Sequence, residues 1–271
     1  MSPKIIDCFL FYNELDMLKF RLEYLYNIVD FFILVECTLT FSGDKKELYY
    51  ENNKELFKKY NNKIIHIIVE NLPSKEEVEN AWVREKTHRN CIDRGLKKLI
   101  LNNNDVICIC DLDEIPDRNT LNLFKSVEDI ENIPFALEQD MYYYNLNCKA
   151  VYKWYHPKIV NYYTFCNIFK NNSDDIRSCQ RYAIIRNGGW HFSYFGDVNF
   201  IKNKIKHFSH QEYNNDKYLD DNKILEQIKS CNDLYFRNNS DFKYCHINDN
   251  KYLPENYQEL LKYSEIYNNS S

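Results

Sequence analysis

Apolar and polar positions fall into blocks that predict strands and helices in turn. Residues 5–11 form a short apolar run of strand length. Leu15, Leu18, Leu22, Leu25 and Val29 then recur at alternating spacings of three and four, one buried face at helical period, and Asn13 stands where a cap would open that helix. Residues 31–36 are apolar almost throughout, as expected of a strand covered on both sides. Gly43 and Asp44 mark a loop, a short helix is expected over about 47–60, and residues 63–69 form a third strand. Ser74 followed by Glu77 has capping-box spacing and predicts a long helix running through about Leu101. The next apolar run, from Val106, is a fourth strand ending in Asp111, Asp113 and Glu114. Strands alternating with helices predict an α/β fold: a mostly parallel central sheet with right-handed crossovers, three layers, and a Rossmann-like first half.

Beyond Asp117 the rhythm changes. Residues 133–138 read as a strand, and 142–185 are aromatic and polar without helical period, expected to form strands and loops on an acceptor-side wall. Residues 188–196 hold three of the five glycines, which suggests a backbone path that side chains would block. Residues 200–208 are expected to be helical, and the tail after Tyr213 carries helical pieces separated by Asn/Asp stretches. No repeat or linker divides the chain. The expectation is one domain over 1–271, with a nucleotide half (1–117), an acceptor half (118–213) and a helical tail (214–271).

Composition narrows the function. Hydrophobic content is 44% and aromatic content 16%, with 23 tyrosines, so the chain folds rather than staying disordered. A net charge of -5 with dispersed lysines argues against nucleic acid as a partner. None of the ten cysteines belongs to a pair of Cys-x-x-Cys motifs, and Cys108 and Cys110 alternate inside a buried strand, which points to free thiols and a reducing compartment. Sequons at Asn171, Asn238, Asn268 and Asn269 are expected by chance in so asparagine-rich a chain. No apolar run reaches membrane-spanning length and no signal-peptide pattern opens the chain, so the expectation is a soluble, cytoplasmic protein.

The acidic end of the fourth strand carries the candidate chemistry. In an open α/β sheet, ligands bind beyond the carboxy ends of strands. Asp111 and Asp113, one residue apart, can aim both carboxylates at one cation, and oxygen ligation suits Mg²⁺ or Mn²⁺. The alternative is that these residues merely end a strand and open a turn. No Gly-x-Gly-x-x-Gly follows a strand and no Walker-type Gly-Lys-Ser/Thr exists, so a divalent ion would have to neutralise phosphate. An aspartate-based phosphotransferase also uses two such aspartates, but carries them on its first strand.

Asp111-Leu112-Asp113-Glu114-Ile115-Pro116 resembles the Asp-x-Asp motif of GT-A glycosyltransferases and is similar to glycosyltransferase family 17. Six further ordered blocks extend the resemblance to about Glu212. They are Asp7-Cys8-Phe9 with Asn13-Glu14-Leu15-Asp16, Val35-Glu36-Cys37-Thr38 with Thr40-Phe41-Ser42-Gly43, and Ala81-Trp82-x-Arg84-Glu85 with Arg89-Asn90. The others are Met141-Tyr142-Tyr143-Tyr144-Asn145-Leu146-Asn147, the stretch Gly189 to Gly196, and Phe208-Ser209-His210-Gln211-Glu212.

The resemblance implies a GT-A-like fold and metal-dependent, inverting transfer of N-acetylglucosamine from UDP-N-acetylglucosamine to a glycan or glycoprotein hydroxyl. Mn²⁺, or Mg²⁺, is then expected on Asp113 and, directly or through water, on Asp111, with His191 as a candidate third ligand because imidazole suits Mn²⁺ and the glycine-rich stretch permits close approach; the alternative is a hydrogen-bonded histidine packed beside Trp190. Glu138 is the first choice of general base, with Asp140 and Glu212 behind it. Arg84 is expected at the nucleotide, Asn13 and Glu36 near uracil or ribose, and Glu114 as an orienting residue toward Arg84. Tyr142, Tyr143, Tyr144 and Trp190 could stack on sugar rings. Family members with a Golgi anchor are a poorer analogy than soluble bacterial and large-virus members, because the matching blocks begin at Asp7. A carbohydrate-binding protein that kept the fold without turnover is the competing class.

Overall fold

The structure, a computed structural model, describes residues 2–237 and 241–268. The sequon residues Asn238 and Asn269, and the end of the predicted helical tail, lie outside the described residues. The first strands and helices follow the apolar blocks: β1 (Ile5–Phe11), α1 (Leu15–Leu25), β2 (Phe31–Cys37), α2 (Tyr49–Asn52), a 3-10 turn (Lys54–Tyr60) and β3 (Ile64–Val69). Next come α3 (Ala81–Asn90), α4 (Ile92–Leu96), β4 (Val106–Asp111), β5 (Glu114–Pro116), α5 (Arg118–Lys125) and β6 (Phe135–Tyr143). The remainder is β7 (Cys148–Trp154), β8 (Lys158–Asn161), α6 (Ser173–Ser178), β9 (Ala183–Ser193), α7 (Val198–His207), α8 (Asp216–Leu219), α9 (Asp221–Ser230), β10 (Phe242–Tyr244) and α10 (Lys262–Asn268).

Alternation along the strands builds a core on each sheet face. Phe9, Leu34 and Cys108 pack with Leu18, Leu22 and Leu25 of α1, while Ile6, Cys8, Ile33 and Ile107 pack with Ile92 and Leu96 of α4. These three layers realise the expected α/β class. The sheet is mixed rather than mostly parallel: its described strands run β10-β7-β6-β8-β4-β1-β2-β3. β3, β2, β1 and β4 are parallel neighbours, but β8 enters antiparallel between β4 and β6. β6 also takes β9 as a parallel neighbour, and β9 in turn pairs with the short β5. A third cluster packs Ile201, Ile205, Ile224 and Ile228 of α7 and α9 against Tyr143, Tyr144 and Ala150.

Three local expectations differ from the structure. Ser74 and Glu77 do form the reciprocal capping bonds, at 2.7 and 3.3 Å, but they close a turn rather than opening a helix. Arg84 explains it: the guanidinium binds the carbonyls of Ser74, Val78 and Glu79, holding that segment out of helical geometry. The helix starts at Ala81 under an Asn80 cap. Asn13 does not cap α1 with its side chain, which instead donates to Asn203 Oδ1 at 3.3 Å. Finally, Cys148 and Cys231 are disulfide-bonded, so the reading of all ten cysteines as free thiols is corrected. The pair is 83 residues apart, and only the packing of α9 beside β7 brings it together.

The glycine cluster closes the sheet onto the acidic loop. Gly189 has φ +130°, and a Cβ there would stand 2.1 Å from the Ile115 carbonyl oxygen; one at Gly188 would meet Leu137 Cα at 2.7 Å. Both glycines let β9 lie against β5 and β6. Gly189→Ala should therefore destabilise the protein by about 2 kcal/mol or more, read as a lower urea midpoint. An unchanged midpoint would show that β9 can shift without cost.

Candidate active site

The acidic loop is held from below by Arg21. On α1, with no exposure, Arg21 makes a two-point contact with the equally buried Asp7 of β1, at 2.6 and 2.7 Å. Its remaining nitrogen donates to the carbonyls of Asp111, Leu112 and Glu114 at 3.0, 3.0 and 2.7 Å. Three carbonyls on one cation fix the turn between β4 and β5. From the far side, Phe192 N donates to the Asp113 carbonyl at 2.8 Å, and the β5–β9 register sets Glu114 opposite His191.

With the backbone fixed, the carboxylates separate. Asp111 is bound through one oxygen to Arg89 Nη1 at 2.7 Å and through the other to Arg177 Nη2 at 2.6 Å. Glu114 is fully buried on Arg177, at 2.7 Å through each oxygen, and accepts from Trp154 Nε1 and the Asp111 backbone NH. Its partner is Arg177, so the expected orientation toward Arg84 is corrected. Burial alone would raise Glu114, but the Arg177 guanidinium holds it far below the usual carboxylate range. Asp113 meets Lys204 Nζ through Oδ2 at 2.8 Å and faces His191 Nε2 through Oδ1 at 3.5 Å. Burial would push Asp113 up, but Lys204 and His191 hold it well below its ordinary value, so it stays ionised.

Asp111, Asp113, Arg89, Arg177, Trp154, His191 and Lys204 line a cleft of about 430 Å³, together with Tyr12, Lys46, Trp82, His210 and Tyr213. Asp111, Asp113, His191 and Tyr143 are in it; the other expected site residues are not among its lining. Glu138 lies on β6 outside the cleft and accepts from Tyr155 at 3.0 Å. Asp140 is buried between Lys149 and Lys153, which neutralise it. Glu212 is exposed and backs a cleft residue, His210, at 2.7 Å. Glu36 is buried under Tyr50 N, His66 and Lys46, anchoring a wall of the cleft. Arg84 spends its guanidinium on backbone carbonyls, including that of Phe41 at 2.6 Å, and Asn13 faces Asn203. Trp190 and Tyr142 are core residues, while Tyr143 borders the cleft.

Sequence reasoning missed Arg177 and Lys204, and assigned no role to Arg89. Arg89 sat in a matching block and could have been found there. Arg177 lies on α6, in a stretch read as strands and loops, and Lys204 sits on a helix whose pattern marks only Ile201 and Ile205 as buried.

A sequence model described as Glycosyltransferase family 17 matches residues 1–256. The chain belongs to glycosyltransferase family 17. No curated protein sequence matches it. Among solved structures, 4-diphosphocytidyl-2C-methyl-D-erythritol synthase from Anaerococcus prevotii is similar over 73% of this chain and 93% of that chain, at 10% identity and a TM-score of 0.40. A family 17 glycosyltransferase is a transferase that takes a sugar donor and an acceptor, and membership implies a nucleotide-sugar as the donor. No helix among the described residues is long and apolar enough to cross a membrane.

The three expected metal ligands do not converge. Among the described residues, the group close enough to share an ion is Asp7, Cys108 and Cys110, and Asp7 there is already bound to Arg21. Asp113 and His191 nonetheless fit two positions on a divalent ion, being an ionised carboxylate and an imidazole facing one another. The nitrogen of His191 that faces Asp113 is Nε2, while its Nδ1 is buried with no hydrogen-bond partner among the described residues. Asp111, with both oxygens on guanidiniums, does not fit as a ligand.

Two outcomes follow. Arg21→Met would strand the buried Asp7 charge and should cost about 3–5 kcal/mol in urea unfolding; a loss under about 1 kcal/mol would remove Arg21 as the loop's support. Asp113 and Glu114 titrate below their unfolded values of roughly 4. Their contribution is thus complete at neutral pH and is lost as the pH falls from about 4 toward their folded values. The unfolding midpoint should drop on acidification, and Glu114→Gln should flatten that drop.

Proposed function

We propose that the protein transfers N-acetylglucosamine from UDP-N-acetylglucosamine to a glycan hydroxyl with inversion, using Mn²⁺ or Mg²⁺ held by Asp113 and His191. The observation that carries this reading is the Asp113–His191 pair, 3.5 Å apart on the cleft and flanked by Arg89, Arg177 and Lys204. An ion bound by these two residues would supply charge stabilisation for a departing diphosphate.

The chain's own residues have separate duties. Lys204 keeps Asp113 ionised and fixes the rotamer of its carboxylate. Arg89 and Arg177 hold Asp111 at the cleft edge, where its remaining lone pairs can accept from a ribose hydroxyl. Trp154, with its indole N–H on Glu114, lies 4.8 Å from the His191 ring and limits where that imidazole can turn. Tyr12 and Lys46 also line the cleft, a ring and a cation suited to a base and a phosphate.

The test is a panel of UDP-sugars offered with Mn²⁺ or Mg²⁺ and glycan acceptors. Metal-dependent transfer, fastest with UDP-N-acetylglucosamine, is expected. Asp113→Asn should abolish metal-dependent UDP binding by calorimetry, whereas Asp111→Asn should weaken it without removing the metal dependence. Glycan binding with neither donor hydrolysis nor transfer would favour a carbohydrate-binding protein.

A further inference from the structure

Inverting transfer needs a group to take the acceptor's proton, and the cleft supplies few that can. Each carboxylate lining it is already engaged by a cation: Asp111 by Arg89 and Arg177, Asp113 and Glu14 by Lys204, and Glu85 by Arg89. Those contacts occupy lone pairs that a hydroxyl proton would need, and Lys204 with His191 holds Asp113 well below its ordinary value; Glu14 is the exception, raised by burial and sharing with Asp113 a Lys204 that it meets at 3.5 Å. The cleft histidines differ among themselves. Burial pushes His88 down to about 3, with Nε2 on the Val35 carbonyl, and His156 down to about 4, with Arg177 adding to the effect. His191 faces Asp113, and His207 has Nδ1 against the Asn203 carbonyl and the Tyr12 hydroxyl.

His210 is different. It lines the cleft with its side chain 40% exposed, and its Nδ1 lies 2.7 Å from Glu212 Oε1, a carboxylate that no Lys or Arg engages among the described residues. A carboxylate accepts, so the proton sits on Nδ1 and the lone pair on Nε2. The ring stands edge-on to the half-exposed Trp82 at 4.6 Å, with Phe208 and Tyr213 at 5.4 and 5.7 Å. Trp82 thus offers a ring-sized apolar face beside the imidazole, suited to the C–H face of a sugar.

We propose that His210, oriented by Glu212, is the general base that deprotonates the acceptor hydroxyl, and that the acceptor sugar docks against Trp82. This rests on the transferase reading above. Nε2 takes the hydroxyl proton as an oxygen lone pair forms the bond to the anomeric carbon. The electron pair of the breaking carbon–oxygen bond leaves on the nucleoside diphosphate, and the imidazolium, paired with Glu212, later gives its proton to water. Glu212 acts through His210 and is a positioning residue. Of the other charged or titratable groups, Glu85 on α3 accepts from the neighbouring Ser209 and is paired with Arg89, which also binds Asp111; Tyr213 packs on the imidazole, and Tyr235 stacks on Tyr213 with Arg237, paired to Asp233, over its ring.

The test uses the full chain, the UDP-sugar it turns over, and an acceptor glycan, with kcat and both KM values measured from pH 5 to 9. His210→Gln should lower kcat for transfer by more than about a hundredfold, leave the donor KM unchanged and remove the acidic limb of the profile. Glu212→Gln should lose less in kcat with both KM values unchanged, because the imidazole is no longer held with its Nε2 toward the acceptor, and Glu212→Asp should recover part of that loss. Trp82→Ala should raise the acceptor KM with the donor KM unchanged. Wild-type transfer that His210→Gln retains within about threefold, with the acidic limb unmoved, overturns the base assignment alone. An unchanged kcat in Glu212→Gln overturns the orienting role, and an unchanged acceptor KM in Trp82→Ala overturns the docking. No transfer by the unaltered protein with any donor overturns the dyad and the transferase reading together.

Discussion

The site depends on one buried cation placed under a turn. Arg21 is neutralised by Asp7 and uses the rest of its guanidinium to gather three carbonyls of the loop that carries Asp111, Asp113 and Glu114. Those carbonyls, facing the core rather than water, would each need a partner to be buried at all. Because β1 and β4 are neighbours in register, with Asp7 beside Cys108, the support is anchored to the rigid centre of the sheet. The loop's side chains are therefore presented to the cleft by a scaffold that cannot relax independently of the core.

Above that turn, the electrostatics follow from how many cations meet how many carboxylates. Arg177 serves Glu114 and Asp111 together, Arg89 serves Asp111 and Glu85, and Lys204 serves Asp113 and Glu14. Sharing each cation between two acids fixes their rotamers, and the cations hold Asp113 and Glu114 ionised in a partly buried site. It also distinguishes the two aspartates of the motif. Asp111 is committed to guanidiniums, whereas Asp113 keeps an oxygen turned toward His191.

The second half of the fold exists, in this view, to deliver partners to that loop. β9 can run along β5 because Gly188 and Gly189 present no Cβ to Leu137 and Ile115, and this register carries His191 to Asp113. α7 then brings Lys204, and the turn after it brings His210 to the far wall. The disulfide between Cys148 and Cys231 ties the end of α9 to β7, in the same packed cluster as Tyr235, on which Tyr213 stacks.

The chain's alternation and helical period determined the parallel β1, β2, β3 and β4 unit, the helix at 198–207, and the glycine-dependent close approach, because each depends on residues near in sequence or on the absence of a side chain. The motif also brought Asp111, Asp113 and His191 to one cleft by resemblance alone. What the sequence left open were pairings set by distance in space. Ser74 and Glu77 had the right local signal, yet Arg84 withdrew the carbonyls a helix would need. The antiparallel entry of β8, the Cys148–Cys231 bond, and the choice of Arg177 for Glu114 over Arg84 each join segments tens of residues apart. A carboxylate's role depends on which cation reaches it first, and that is decided by tertiary packing. For that reason Glu138 and Asp140, plausible in the chain, stand outside the cleft, while Glu212 meets it through His210.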